Sequence, residues 1–283
     1  MNAMNALKTT FLLAVLTALL LLIGGAIGGR AGLTVALLLA AVMNLGSYWF
    51  SDRIVLAMTG AQPVEPSDAP ELYDMVRRVA ANSGMPIPKL YIVDQPQPNA
   101  FATGRDPNHA AIAFTRGILD ILDMRELEGV AAHELGHVRN RDTLVSAVAA
   151  TIAGAISYLA QMAFWFGGRR DDEEGGGNPI VVLLALIFAP IAAMLIQLAI
   201  SRGRELGADE TGARATGNPL ALASALEKLE ATRQVVPMRV NPSAAHLFIV
   251  NPLSRQGFAT LFSTHPSTEE RVRRLRAMAG LGS

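Results

Sequence analysis

His133 and His137 stand four positions apart in the run Val130-Ala131-Ala132-His133-Glu134-Leu135-Gly136-His137-Val138. On a helix this spacing turns both imidazoles to one face, with Cβ atoms about 5–6 Å apart, near enough to grip one metal ion. The helix is predicted independently of the histidines. Asp123 and Glu126 have capping-box spacing, and Leu127, Val130, Ala131, Leu135 and Val138 form an apolar face.

A catalytic zinc keeps one coordination position for water, so two histidines need one more protein ligand. The chain has no cysteine, which leaves a carboxylate or a third histidine. Glu134, beside His133 and about a quarter-turn round the helix, is placed to act on a metal-bound water as general base without ligating the metal. Further on, Ser201-Arg202-Gly203-Arg204-Glu205-Leu206-Gly207-Ala208-Asp209 puts two carboxylates at i and i+4 on one helical face. Glu205 is expected to complete the metal site. Asp209 is expected to accept the free N–H of a ligating histidine, fixing its tautomer.

The segments LEGVAAHELGHVRNRD (127–142), SRGRELGAD (201–209), PNAFATG (98–104) and HLFIVNPL (246–253), with apolar stretches at matching places, resemble the HtpX-type heat-shock membrane metalloproteases. These are gluzincins related to the zinc-dependent CAAX prenyl protease. The resemblance implies a protease holding one Zn2+ per chain, which cleaves misfolded or unassembled membrane proteins under heat or envelope stress. It also implies an edge strand near the metal that pairs with extended substrate through main-chain hydrogen bonds. Asn99 and Ala100 stand at the matching place as substrate contacts. It places the His265-Pro266 pair near the cleft, where an imidazole can bond the oxyanion of the tetrahedral intermediate. Arg271 is a second candidate for that role or for bracing the site.

Composition fits a membrane setting. Of 283 residues 51% are hydrophobic, and 24 basic residues balance 24 acidic ones, so no global field favours nucleic acid as a partner. Thr9 to Ile27 is uncharged and close to the ~20 residues that span a bilayer, and Ala31 to Phe50 follows at once, which predicts a retained helical hairpin. Gly24, Gly25, Gly28 and Gly29 have a small-xxx-small spacing suited either to close helix contact or to a turn. Leu144 to Phe166 and Pro179 to Ile200 are two further apolar runs, separated by the charged, glycine-rich loop 167–177. The histidines precede this second pair of runs and Glu205 follows it. All three meet only if the chain between them crosses the bilayer an even number of times.

Lys8, Arg53, Arg139, Arg141, Arg202 and Arg204 lie on the domain side of the apolar segments, against Arg30, Arg169 and Arg170 on the other. The positive-inside rule then puts the active site in the cytoplasm, and the resemblance implies a multi-pass protein of the inner membrane.

Between the hairpins, Gln62 to Pro66 reads as a linker, Asp68 to Ser83 as an amphipathic helix, and Lys89 to Asp94 and His109 to Thr115 as strands. A helix is expected from Asn218 through Thr232. Ser267 and Glu270 form a second capping box that starts the last helix just after His265.

The expected architecture is α+β and predominantly helical, a membrane-anchored zincin-like domain with about four transmembrane helices. Residues 1–50 form an N-terminal membrane hairpin, 51–142 the first part of the catalytic domain, 143–200 a second hairpin, and 201–283 the second part with the third ligand. Polypeptides and the lipid bilayer are the expected partners. The competing readings are a sequence-specific processing protease of the prenyl-protein type and a metal-bearing membrane scaffold without catalysis.

Overall fold

A computed structural model describes residues 3–167, 202–233, 242–250 and 266–281. The loop 167–177 beyond its first residue, the apolar run 179–200 and His265 lie outside the described residues.

The chain begins with α1 (Ala3–Trp49), two helices joined where Gly29 takes φ 55° and ψ −134°. That combination is open to glycine alone. The expected hairpin therefore turns at Gly29, and the glycines before it divide their work. A Cβ on Gly24 would lie 2.5 Å from Ala36 Cβ, and one on Gly32 would lie 2.0 Å from Gly24 O, so the two halves touch there; Gly28 meets nothing within 4 Å. Met4–Leu22 and Gly28–Trp49 are each long and apolar enough to cross a membrane. Leu37, Leu38, Val42 and Leu45 point outward and are exposed. A face of that kind needs lipid or another apolar surface against it.

After α2 (Ser51–Thr59) the character changes to that of a packed domain. A four-stranded sheet runs in the order β1 (Ala61–Pro63), β2 (Lys89–Val93), β4 (Ala110–Thr115), β3 (Ala100–Gly104), with β2 and β4 parallel and the other pairs antiparallel. One of these strands departs from the sequence reading. The first residues of the expected linker form β1, because Gln62 pairs with Ile92. The edge strand implied beside Asn99 and Ala100 is β3, which occupies the sheet edge nearest the site.

The expected amphipathic helix is α3 (Pro70–Asn82), which buries Leu72, Met75, Val76 and Val79. The short α4 (Arg116–Ile121) then leads into α5 (Met124–Asn140), which carries the two histidines and opens with the expected capping box. α6 (Asp142–Gly167) follows after one residue. α7 (Arg202–Thr216), α8 (Pro219–Arg233), a 3-10 turn at Pro242–Leu247 and α9 (Thr268–Met278) complete the described chain. His246 lies in that 3-10 turn.

Three apolar clusters hold these parts together. The largest joins α3, the sheet, α5, α8 and α9 through Met75, Ile112, Leu135, Leu226 and Leu275. A second packs Leu12, Leu16, Leu20 and Ala40 of α1 against Leu144, Val148 and Ile152 of α6. Between them, Val55 of α2, Phe101 of β3, Ala147 of α6 and Phe248 join α2 and α6 to the sheet. Burying each such side chain contributes about 1.5–3 kcal/mol, so α6 is fixed on both of its flanks.

Where α8 crosses the start of α5, Glu126 ties the two helices together. It takes hydrogen bonds from Lys228 Nζ at 2.7 Å, Ser224 Oγ at 2.6 Å and the Asp123 N–H at 2.9 Å. Burial pushes its carboxyl up, but these donors outweigh burial and hold it below the ordinary value of 4.5. A depressed folded-state pKa stabilises above the unfolded value and is lost as pH falls through the folded one. Glu126→Gln should therefore lower the melting temperature at pH 7. The gap from the parent protein should narrow progressively below about pH 4.5, as followed by thermal denaturation in detergent across that range.

Candidate metal centre

The site is built by two helices that approach unusually closely. A Cβ added at Gly212 of α7 would lie 2.7 Å from the backbone nitrogen of His133, so only glycine lets α7 settle onto α5 at this point. The contact is what brings the Glu205–Asp209 face of α7 over the His133–His137 face of α5. His133 Nε2 and His137 Nε2 are 3.2 Å apart. Glu205 Oε2 is 3.7 Å from His133 Nε2, and Glu205 Oε1 is 3.5 Å from His137 Nε2.

These separations suit one ion. Ligand atoms about 2.0–2.1 Å from a tetrahedral zinc lie roughly 3.3–3.4 Å from one another, close to the distances found. His133, His137 and Glu205 are together a group able to hold a metal. The charge balance agrees. With both imidazoles neutral, as metal ligation requires, the four carboxylates of Glu134, Asp142, Glu205 and Asp209 and the two guanidiniums of Arg204 and Arg271 gathered round them leave an excess of two negative charges among the described residues. A divalent cation would neutralise it.

Each histidine is oriented from behind. His133 Nδ1 faces Asp209 Oδ1 at 2.8 Å, and His137 Nδ1 faces Asp142 Oδ2 at 3.2 Å, which leaves both Nε2 atoms for the site. Burial pushes the His137 imidazole down, but Glu205 and Asp142 outweigh it and raise the ring to about 9. Asp209 is itself gripped by Arg271, whose Nε and Nη2 reach its two oxygens at 2.8 and 2.7 Å. Burial raises the Asp209 carboxyl, and the Arg271 charge overcomes this and lowers it to about 2. Asp209 thus stays an acceptor at any working pH. Arg271 also donates to Ile249 O at 3.3 Å, and so stands behind the metal face.

Glu134 is buried beside the ligands, and its Oε2 accepts the N–H of Ala102, from β3, at 2.8 Å. Burial raises its carboxyl, with Glu205 adding to the effect and the two imidazoles opposing it. Ala100 opens the same strand and Asn99 immediately precedes it, and both are engaged by the chain itself. The Asn99 amide donates to Val250 O at 2.7 Å and accepts the Val250 N–H at 3.3 Å, while Ala100 O accepts the Ile249 N–H at 3.0 Å. At the far end Thr143 Oγ1 donates to Gly104 O at 2.9 Å.

The structure thus gathers Glu134, His133, His137, Glu205, Asp209 and Arg271, with Ala100 on the adjoining strand and Asn99 immediately before it. It also places one residue the sequence reading missed: Asp142. Its carboxylate is brought back to His137 by the turn at Arg141, which takes φ 60°. An acidic residue five positions past the second histidine was the only trace of it in the sequence.

A family model for peptidase family M48 matches residues 66–279. A protein described as "Protease HtpX homolog" from Thermodesulfovibrio yellowstonii is 58% identical over 279 residues, covering 98% of this chain and 99% of that one. A second with the same description, from Pelotomaculum thermopropionicum, is 56% identical over 280 residues and covers 98% and 100%. Among solved structures, the crystal structure of S. mikatae Ste24p superposes with a TM-score of 0.51 at 18% identity, over 93% of this chain and 62% of that chain, a likeness of fold alone. The chain belongs to peptidase family M48, as the four motifs implied, and is a metalloprotease of the HtpX type.

The helix contact at Gly212 gives a direct test of the geometry. Gly212→Ala should lower stability by about 1–3 kcal/mol, as overpacking does, and should weaken metal binding at the same time. Denaturation with and without added metal would read both, and a variant with unchanged metal affinity would show that α7 tolerates the shift.

Proposed function

We propose that this M48 peptidase is a zinc-dependent integral membrane endopeptidase that cleaves misfolded or unassembled membrane proteins on the cytoplasmic side of the inner membrane, in quality control and stress response. The observation that carries the reading is the convergence of His133 Nε2 and His137 Nε2, 3.2 Å apart, with the Glu205 carboxylate, whose Oε2 and Oε1 lie 3.7 and 3.5 Å from them respectively, beside a buried and separate carboxylate.

His133, His137 and Glu205 hold the metal, and Asp209, braced by Arg271, keeps His133 in the tautomer that offers Nε2. Zinc bound there would polarise the scissile carbonyl and lower the pKa of a coordinated water towards neutrality. Glu134, raised by burial and steadied by the Ala102 N–H, accepts a proton from the attacking water and passes it to the leaving amine. Extended substrate lies along the outer edge of β3. Asn99 and Ala100 take part at its start once the Ile249–Val250 backbone yields their hydrogen-bonding groups. Pairing of this kind reads main chain and leaves sequence preference loose, which suits a protease that meets many damaged proteins. His265 is assigned to the oxyanion because Pro266 and the Ser267 cap bring the chain into α9, whose Arg271 already reaches the site.

The apolar runs 144–166 and 179–200 form the second membrane hairpin in this reading, completing about four spans. The meeting of Glu205 with both histidines supports the even number of crossings that such a hairpin requires. Basic residues at the segment ends favour the cytoplasm for the domain.

Glu134→Gln in the full chain is the discriminating variant. It should retain bound zinc and the parent's melting temperature, while cleavage of a reporter membrane protein falls by several orders of magnitude. Persistent cleavage would remove Glu134 from the mechanism. Cleavage confined to one C-terminal motif would favour a processing protease.

A further inference from the structure

We propose that Asn5, near the start of the first membrane helix, is a positioning residue for the metal centre: it holds Asp142, which orients His137. The inference rests on the metalloprotease reading and extends it to a residue over a hundred positions away in sequence.

The relevant contacts begin at the end of α5. Arg141 is the one non-glycine residue with positive φ among those described. The tight turn there directs the first carboxylate of α6 back at the last turn of α5, so that Asp142 Oδ2 lies 3.2 Å from His137 Nδ1. A carboxylate can serve a histidine in this way only while its plane is held. A competitor stands close by, for Arg204 Nη1 is 3.7 Å from Asp142 Oδ1.

Asn5 supplies the hold. Its Nδ2 donates to Asp142 Oδ1 at 2.8 Å and to the Asn140 carbonyl at 3.0 Å. One amide thus ties the last residue of α5 to the first of α6, across the turn that aims the carboxylate. With Oδ1 so engaged, Oδ2 is the oxygen left for His137. Asn5 and Asp142 are each only 4% exposed, so water does not compete for these bonds, and removing either partner leaves the other buried without its match. An amide in an otherwise apolar helix is costly in lipid unless it is satisfied. Here both of its protons are used, at the turn between the metal helix and α6.

The packing of α1 on α6 serves the same end. Leu12 and Leu16 lie against Leu144 and Val148, which fixes the rotation of α1 and keeps Asn5 on the side that faces Asp142. The first membrane helix therefore does more than tether the enzyme, because its position reaches the metal ligand through two successive hydrogen bonds.

The test measures zinc affinity by competition with a chromogenic chelator, with the absorption spectrum of the cobalt-substituted protein as a second readout, on the full chain in detergent. Asn5→Leu should raise the zinc dissociation constant by about 10-fold and Asp142→Ala by about 10–100-fold, as for other groups that orient a ligand. In the Asp142→Ala background, Asn5→Leu should add nothing further. Asn44→Leu is the control, because it removes a 2.8 Å hydrogen bond to Thr17 between the two halves of α1 without touching Asp142. It should leave both affinity and spectrum unchanged. The proposal is overturned if Asn5→Leu binds zinc like the parent, if Asn44→Leu weakens binding equally, or if the Asn5 effect persists without Asp142. A parent chain that binds no zinc would sink the metalloprotease reading itself, and this inference with it.

Discussion

The chemistry of this chain depends on how near α7 comes to α5. Two histidines on a helix are no more than a pair of bases until a carboxylate arrives at the right distance. That carboxylate comes from a segment more than sixty positions later in the sequence. Contact at a single glycine, Gly212 against the His133 backbone, sets the separation. From there the helical repeat does the rest, since Glu205 and Asp209 share a face and so reach, respectively, the front and the back of the imidazole cluster. A displacement of an ångström at this contact would spoil the ligand distances and the orienting hydrogen bond together.

So many buried charges would oppose folding if they were not matched. Removing one partner of such a pair is worth several kcal/mol against the fold, and the charges behind the imidazoles are arranged with counterparts. Arg271 answers Asp209 with two bonds, and Arg204 and Asn5 stand against Asp142. The negative charge left over lies at the front, where a cation belongs. The brace and the cleft are thus one electrostatic arrangement: the same low dielectric that makes the charges costly makes each oriented donor more effective.

Much of this was legible from residue spacing, and the parts that were not have a common cause. The α5 helix, its capping box and its apolar face are local properties, and they stand as read. The amphipathic α3 and strands β2 and β4 are local in the same sense. What escaped was decided by contacts between distant segments. Gln62 became a strand residue because Ile92 lay opposite it. The glycines of the hairpin divided between contact and turn only when their neighbours were in place. Asp142 was hidden for a subtler reason: its role comes from a left-handed residue at Arg141, a conformation that no propensity assigns to arginine. Arg271 was seen as a candidate, but its place behind His133 follows from the docking of α9 on α7 and α8.

The central claim is that two imidazoles and one carboxylate close on a single divalent ion, and X-ray absorption at the zinc edge of the purified, metal-loaded protein tests it most directly. The account predicts one zinc per chain with two histidine nitrogens and two oxygen donors near 2.0–2.1 Å, and loss of one oxygen donor in Glu205→Ala. A first shell with more than two imidazoles, or one that Glu205→Ala leaves unaltered, would contradict it.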